Sequence, residues 1–170
     1  MNPAICWPLR RNRIRRGLLN HTFGMMRRNR DGSPRPHQGW DFEADIGEPI
    51  FAVCDGQIVM VRNQGAYGRQ IILRFEFDVD GDGHCDILFA AYCHLSRADV
   101  AVGDRVARGQ SIGLTGDSGN ARGMARDDRH LHFEVRTQPI AGRGLANRYS
   151  PMVIFGKCPL GRPVMAREAA

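Results

Sequence analysis

The sequence predicts a mainly β protein that folds as one domain around antiparallel β-sheet. From Ile50 onward, short runs of β-forming residues alternate with Gly and Asp turns. Hydrophobic periodicity indicates no amphipathic helix longer than about three turns. The length of 170 residues suits a single domain with a sizeable core. Hydrophobic residues at 42% and charged residues at 25% are ordinary values, which exclude a fully disordered or fibrous chain.

The domain is predicted to lie between two less regular ends. Residues 1–20 contain Arg and Pro without clear periodicity, which is typical of an extended, basic N-terminal arm. Residues 157–170 are predicted to be a C-terminal tail. The folded domain is therefore expected to span residues 21–156.

The predicted strands share β-forming runs that are bounded by Gly or Asp. They lie at residues 50–54, 57–62, 69–77, 86–93 and 130–136, and short strands with tight turns fill residues 102–116. Asp55-Gly56 separates the first two strands and is a strong hairpin signal. The next two are expected to pair around the acidic, glycine-rich segment 78–83. The simplest arrangement is a β-meander.

The chain is basic, with a formal net charge of +6, and Lys157 is the single lysine among 24 basic residues. This charge predicts an anionic partner, which could be nucleic acid, anionic lipid or an anionic cell-wall polymer. A nucleic-acid-binding β-domain would interleave aromatic and basic residues on one face. Aromatic residues make up only 8% and are not so arranged, so we expect no nucleic acid as partner.

The start of the sequence carries no export signal that can be recognised. In residues 1–17 a cluster of arginines follows a short apolar patch, which is the reverse of the order in a signal peptide. No stretch approaches the roughly 20 apolar residues of a membrane span. We therefore expect no membrane span, and delivery by a specialised secretion system or by lysis if the protein acts outside the cytoplasm.

Five cysteines are scattered without a Cys-x-x-Cys pair, which disfavours a thiolate zinc cluster or a thioredoxin-like site. Cys85 and Cys93 would lie ~26 Å apart on one strand and cannot bridge each other there. Cys6 and Cys158 could pair only if the two ends of the chain meet.

The segment His130-Leu131-His132-Phe133-Glu134-Val135 alternates strictly between polar and apolar residues. On a strand, His130, His132 and Glu134 share one face, and the apolar residues enter a core. The two imidazoles would be ~6.6 Å apart at the backbone and could converge on a metal and a water molecule. The alternative is a pair of exposed histidines on an ordinary amphipathic strand.

A second motif, His37-Gln38-Gly39-Trp40-Asp41, offers an imidazole and a carboxylate, which are both good zinc ligands. On an extended strand their backbones would be ~13 Å apart, so this segment must bend to place both on one ion. Gly39 is a candidate place for the bend. His94 ends a predicted strand and adds a third imidazole. His21 and His84 have no assigned role.

These residues belong to an ordered set of short motifs. In chain order the set comprises Phe23-Gly24, His37-x-x-x-Asp41, Asp55-Gly56, Tyr67-Gly68, Tyr92-x-His94-Leu95, Val102-Gly103-Asp104, Gly113-x-Thr115-Gly116 and His130-Leu131-His132-Phe133-Glu134. The set spans about residues 22–154 and is far more specific than any one motif. It resembles the lysostaphin/LytM-like zinc metalloendopeptidases, which hydrolyse peptidoglycan.

The resemblance implies an antiparallel β-sheet fold of the duplicated-hybrid-motif type, with a substrate groove and residues 21–156 as the endopeptidase domain. It implies that His37, Asp41 and His132 bind Zn²⁺, while His94 and His130 flank the catalytic water. Two histidines and one aspartate leave the fourth position of a tetrahedral zinc site open, which is typical of a catalytic site. The implied substrate is a peptide cross-link of peptidoglycan, so the protein is expected to act in the periplasm or cell wall.

Two further features leave alternatives open, and a third concerns the substrate groove. Glu134 could accept a hydrogen bond from His130 or His132, or could form an exposed salt bridge with an arginine. Residues 78–83 imitate the first half of a calcium loop, but Phe89 replaces its final glutamate, which favours an acidic hairpin turn. The loop 117–129 is longer than is usual in the family and is expected to border the groove.

Other functions are also compatible with parts of the sequence. The first alternative is a non-catalytic module that binds peptidoglycan or activates another hydrolase. A lipoyl- or biotin-carrier domain is suggested by residues 102–116, but the lysine that carries the cofactor in such domains is absent there.

We expect a monomer that acts as an antibacterial effector. Such an injected enzyme would be matched by an immunity protein, which inhibits it.

Overall fold

The computed structural model describes residues 2–140 and 142–166 and confirms a mainly β, antiparallel fold. Within these residues the strands are β1 Arg11–Asn12, β2 Gly24–Arg28, β3 Pro34–His37, β4 Trp40–Glu43, β5 Pro49–Phe51, β6 Gly56–Asn63, β7 Arg69–Phe77, β8 Asp86–Leu95, β9 Arg97–Ala98, β10 Arg105–Val106, β11 Ser111–Leu114, β12 His130–Arg136, β13 Arg148–Tyr149 and β14 Val164–Met165. Short 3-10 helices lie at Arg15–Gly17, Leu19–His21, Gly119–Ala121 and Arg126–Asp128, and helix α1 spans Met152–Phe155. Among the described residues, no helix combines the length and apolar character needed to cross a membrane.

Among the described residues the main sheet has seven strands, and β12 is the strand that pairs with three others. Its order is β10-β6-β7-β8-β12, and the far side of β12 pairs with β4 along one half and with β13 along the other. Strands β6, β7 and β8 are consecutive antiparallel neighbours, which confirms the meander predicted for this part. A second sheet, ordered β5-β11-β9, packs across the core from it.

The prediction of a hairpin at Asp55-Gly56 is wrong. Strand β5 pairs with β11 in the second sheet, whereas β6 belongs to the main sheet, so these two residues carry the chain between sheets. Gly56 is needed for another reason: a Cβ atom there would lie 2.2 Å from the carbonyl oxygen of Arg74 on β7. The turn signal therefore reflects a close backbone approach and not a two-residue hairpin.

The N-terminal residues are not an extended arm. Leu9 and Ile14 are fully buried in the core, and β1 pairs with β14 near the other end of the chain. The two ends therefore meet, but Cys6 and Cys158 remain free thiols, as do the other three cysteines. The sequence lacked a periodic signal because residues 9–14 bury single side chains and not one face of a regular element. The division at residues 20 and 157 stays a prediction.

Replacing Ile14 with alanine is expected to lower the free energy of unfolding by about 2–5 kcal/mol, because a fully buried side chain leaves a cavity. Leu19→Ala is the matched control, since Leu19 is 59% exposed and its change should stay within about 0.5 kcal/mol. Denaturant unfolding of both variants measures the difference. Equal stability of the two would contradict the packing of this segment into the core.

Strand β12 separates the core from the site. Leu131, Phe133 and Val135 join the main hydrophobic cluster, and His130 and His132 lie on the opposite face. All seven residues of the strand are buried, so the exposed-histidine alternative is excluded. The polar face of the strand is thus a place where imidazoles are held largely out of water.

The acidic segment connects β7 to β8 as a turn, as the sequence predicts. The Asp78 carboxylate accepts hydrogen bonds from the backbone N–H groups of Gly81 and Gly83, at 2.7 and 3.0 Å. One carboxylate oxygen from each of Asp78, Asp80 and Asp82 lies within 4.8 Å of the others. Phe89 is part of β8, so the chain after the turn continues as a strand and not as a calcium loop.

Candidate metal centre

Three metal-ligand side chains converge where β3, β4 and β12 meet. His132 lies directly opposite Asp41 in the β4–β12 pair, and its Nδ1 is 2.8 Å from Asp41 Oδ1. His37, at the end of β3, places its Nε2 3.1 Å from the same oxygen. The three ligand atoms lie within 4.8 Å of one another, and the residues are 1–5% exposed. This cluster could hold one metal ion.

The bend predicted between His37 and Asp41 is present at Gly39, between strands β3 and β4. A Cβ atom on Gly39 would lie 2.1 Å from the carbonyl oxygen of Phe133 on β12. The glycine therefore lets the His37–Asp41 segment pass close to β12, which brings its two ligands beside His132.

The hydrogen bonds of the two histidines favour a cation between these ligands. His37 Nδ1 lies 2.9 Å from the Thr22 carbonyl, which can only accept, so the ring donates there. Burial lowers the pKa of His37, so its Nε2 is unprotonated and faces the Asp41 carboxylate at 3.1 Å. Two acceptors at this distance repel each other unless a cation lies between them. The donor set therefore fits a metal ion.

His132 is held from both sides. Burial opposes its charged form, but hydrogen bonds to Asp41 and Glu134 raise the pKa of His132 to about 9. In the absence of metal the ring thus keeps a proton on Nδ1, facing Asp41. A metal that binds here displaces that proton, because a ligating imidazole must be neutral.

Glu134 orients His132 and joins two arginines. Its Oε1 lies 2.9 Å from His132 Nε2, while its Oε2 accepts from Arg136 Nε at 2.7 Å and Arg148 Nε at 2.8 Å. Burial opposes its charge, but the hydrogen bonds from His132 and Arg136 hold the pKa of Glu134 well below its usual range. Glu134 thus combines the two predicted alternatives. It forms a hydrogen bond with His132, and it forms salt bridges with two arginines that are buried and not exposed.

Glu134→Gln is expected to weaken metal binding by about 10- to 100-fold, which is typical for the partner of a ligating histidine. The amide keeps the shape but cannot accept from two arginines and an imidazole at once. Glu76→Gln on β7 is the control, because the Glu76 side chain is 61% exposed and forms a salt bridge with Arg74 at the surface. Competition with a chromophoric chelator measures both variants, and unchanged affinity in Glu134→Gln would contradict this role.

His94 reaches the site through a β-bulge in β8. Tyr92 pairs with Ile71 and Leu95 with Arg69, so Cys93 and His94 together lie opposite the single residue Gln70. His94 has a left-handed backbone with φ of 64°. In a regular strand Cys93 and His94 would point to opposite faces. The bulge turns His94 to the side of His130, with 5.1 Å between the ring centroids.

His94 and His130 present the same nitrogen to the site. Each Nδ1 lies against a backbone carbonyl, that of Ser118 at 3.0 Å for His94 and that of Asp128 at 2.8 Å for His130. Burial, joined by the neighbouring histidines, lowers the pKa of His94 to about 3. Burial, joined by Arg15, lowers the pKa of His130 to about 4, against the pull of Asp41. Near pH 7 both rings are neutral. The Ser118 carbonyl can only accept, so His94 carries its proton on Nδ1 and leaves Nε2 unprotonated. His130 Nδ1 also lies 3.1 Å from an Arg15 guanidinium nitrogen, and His130 Nε2 lies 3.7 Å from Asp41 Oδ1.

The five residues line one cavity of about 350 Å³. Tyr67 forms part of its wall and stacks on His132, with 5.7 Å between ring centroids. Asn120 and Met124 line it as well, so the loop 117–129 borders the cavity as predicted. The structure thus brings together every site residue that the sequence proposed.

Comparison with known families decides the relationship. The model of Peptidase family M23 matches residues 35–143, which is more than half of the chain and includes all five site residues. The chain belongs to peptidase family M23. This confirms the resemblance to lysostaphin/LytM-like enzymes, which are members of the same family.

Among curated proteins, the M23 domain is similar to peptidoglycan DD-endopeptidase ShyA of Vibrio cholerae, with 36% identity over 107 residues. It is also similar to glycyl-glycine endopeptidase ALE-1 of Staphylococcus capitis, with 39% identity over 107 residues. Each match covers 62% of this chain but only 22% and 26% of the two relatives. The matched part of the chain therefore spans about a quarter of the length of these proteins.

Solved M23 structures share the fold. The catalytic domain of lysostaphin from Staphylococcus simulans superposes with a TM-score of 0.55 and 30% identity, over 78% of this chain and 86% of that domain. A zinc-containing peptidase from Vibrio cholerae has the same TM-score and 32% identity, over 70% of this chain and 33% of its own.

The M23 site contains three residues that sequence reasoning did not assign. The second oxygen of Asp41, Oδ2, accepts from Arg27 at 2.7 Å and from His21 Nδ1 at 3.2 Å. Arg15 donates to His21 Nε2 and to the Asp128 carbonyl beside His130. No local motif marks them, because all three lie in or near the segment predicted to be an arm. Their contacts leave Oδ1 of Asp41 to face His37 and His132.

Proposed function

We propose that this M23 domain is a zinc-dependent endopeptidase that hydrolyses peptide cross-links of bacterial peptidoglycan. The observation that carries the proposal is the buried convergence of His37, Asp41 and His132 beside two neutral histidines in one cavity. Zinc suits two imidazoles and a carboxylate with an open fourth position. The zinc-containing peptidase among the structural neighbours supports the choice of metal.

In the proposed mechanism His37, Asp41 and His132 hold the zinc ion. When bound, the ion would supply Lewis acidity for the scissile carbonyl and for an attacking water. His94 and His130 accept, hold and return protons at their Nε2 atoms, and when protonated they donate to the developing oxyanion. The hydrogen-bond contacts of their Nδ1 atoms with the Ser118 and Asp128 carbonyls support this role, because they hold both rings in place.

The substrate class comes from the relatives. ShyA is named a peptidoglycan DD-endopeptidase and ALE-1 a glycyl-glycine endopeptidase, so both names describe endopeptidases but for different bonds. This chain is about equally similar to both, which supports endopeptidase chemistry and leaves the bond itself to experiment. Its action on peptidoglycan would take place in the periplasm or cell wall. The roles of antibacterial effector and monomer, and the immunity protein, remain predictions.

The proposal is tested by incubating the zinc-loaded protein with purified peptidoglycan of two kinds, one cross-linked directly and one through glycine bridges. We expect soluble fragments from at least one kind, with a new amine and a new carboxyl end identified by mass spectrometry. A strong chelator should stop the release, and added zinc should restore it. Binding to both kinds without any cleavage would contradict the proposal and favour the non-catalytic module.

A further inference from the structure

A second cavity, of about 520 Å³, lies beside the metal cavity and is strongly basic. Its lining contains no Asp or Glu; it consists of Arg15, Asn20, His21, Met26, Arg27, Arg28 and Arg35. Arg15 and Arg27 also line the cavity of the metal centre. The two cavities therefore lie side by side and share two guanidinium groups.

The two shared arginines are fixed in place. Arg27 donates to Asp41 Oδ2 at 2.7 Å and to the Asn20 carbonyl at 2.9 Å. Arg15 donates to the Asp128 carbonyl at 3.1 Å and to His21 Nε2 at 3.2 Å. These hydrogen bonds fix the guanidinium groups of Arg15 and Arg27 next to the proposed metal ligands.

Arg28 and Arg35, the two outer arginines of the pocket, form no salt bridge with a carboxylate of the described residues. Arg35 lies directly opposite Arg27 in the β2–β3 pair, where like charges destabilise the pairing. Within residues 2–140 and 142–166, no salt bridge involves Arg15, Arg28 or Arg35. Arg28 and Arg35 are exposed, and the Arg28 side chain donates to the Gly32 carbonyl at 2.9 Å. The pocket thus brings together four arginines, of which Arg27 alone forms a salt bridge within the described residues.

We propose that this basic pocket is a substrate subsite that binds a free carboxylate of the peptide, next to the bond that is cut. The proposal rests on the proposed peptidase function. Guanidinium groups bind carboxylates through paired, charge-assisted hydrogen bonds. Because the pocket shares Arg27 with the cavity of the metal centre, the carboxylate would belong to a residue close to the cleaved bond. The carboxylate is either the terminal group of the peptide or a side-chain group.

Equilibrium binding by calorimetry separates these sources without any need for cleavage. The probes are an uncross-linked wall tetrapeptide with free carboxyl groups, the same peptide amidated only at its terminus, and the same peptide amidated only at its side-chain carboxyl. We expect one of the two amidated forms to bind about tenfold or more weakly, because it loses a charge-assisted hydrogen bond. Inorganic phosphate is a fourth probe.

Arg28→Gln and Arg35→Gln are expected to weaken binding of the unamidated peptide by a similar factor. Both variants should leave unchanged the affinity for the amidated form that binds weakly to the wild type. Arg105→Gln on β10 is the matched control, because it removes an exposed strand arginine outside this pocket. Equal affinity for all three peptides, no detectable binding at millimolar peptide, or an equal loss in Arg105→Gln would overturn the subsite. Phosphate binding without an effect of amidation would also overturn it.

Cleavage of cross-linked peptidoglycan, measured in parallel, keeps this inference distinct from the proposed function. Cleavage together with equal affinity for the three peptides overturns the subsite and leaves the peptidase proposal standing. Carboxylate-dependent binding by a protein that cleaves nothing supports the subsite and overturns the peptidase proposal.

Discussion

His132→Ala and Asp41→Ala are expected to reduce bound zinc from about one ion per chain to almost none and to abolish peptidoglycan cleavage. Each change removes one of three ligand atoms that lie within 4.8 Å of one another. The loss should exceed the 10- to 100-fold weakening that is typical when only the hydrogen-bond partner of a ligand is removed. Elemental analysis of the purified variants measures zinc, and product release from peptidoglycan measures activity.

The controls guard against a loss of fold. Asp41→Ala leaves Arg27 without its carboxylate, so Asp41→Asn is added because it keeps the shape of the side chain. Circular dichroism should show folded protein for Asp41→Asn with little zinc bound. His84→Ala is the matched histidine control, because its side chain is 90% exposed in the β7–β8 turn and should keep its zinc. Zinc at the wild-type level in both His132→Ala and Asp41→Ala would refute the ligand assignment.

His130→Ala and His94→Ala are expected to keep zinc but to lose cleavage activity by on the order of 10²- to 10⁴-fold. Their Nε2 atoms face the site, but the three proposed ligands are untouched. The loss corresponds to the removal of one positioned proton-transfer group or oxyanion donor. Initial rates and zinc content measured on the same preparations separate this effect from metal loss.

The left-handed backbone at His94 calls for a second variant. Alanine at a φ of 64° is strained, whereas asparagine is enriched in this conformation. His94→Asn should therefore be as inactive as His94→Ala but more stable. Peptidoglycan binding should survive in both variants and in His130→Ala. If the variants at both positions cleave like the wild type, the two histidines are not catalytic, and the domain is better described as a binding module.

Local patterns in the sequence were sufficient for the parts of the site that lie on regular strands. The alternation over residues 130–136 placed His130, His132 and Glu134 on one face because side chains of a strand alternate by geometry alone. The distance argument for His37 and Asp41 required a bend, and the bend is present at Gly39. The ordered motifs then indicated the family, which the match over residues 35–143 confirms.

Other features depended on contacts between segments far apart in the chain. Asp55-Gly56 resembles a hairpin turn in isolation, but β5 pairs with β11 in the second sheet and not with β6. His94 would point away from the site on a regular strand, and only the mismatch of β8 against β7 turns it inward. Residues 9–14 have no periodic pattern of their own, although Leu9 and Ile14 are buried in the same core cluster.

The sequence by itself predicted the mainly β fold from its strand pattern, and the family and the five residues of the proposed site from the resemblance carried by its ordered motifs. Only the tertiary structure decided how the five are arranged around one cavity and what surrounds them. Asp41 faces His37 and His132 through one oxygen and binds Arg27 and His21 through the other. These contacts join segments whose positions are set by sheet pairing and core burial, and no local sequence pattern encodes such pairing across the chain.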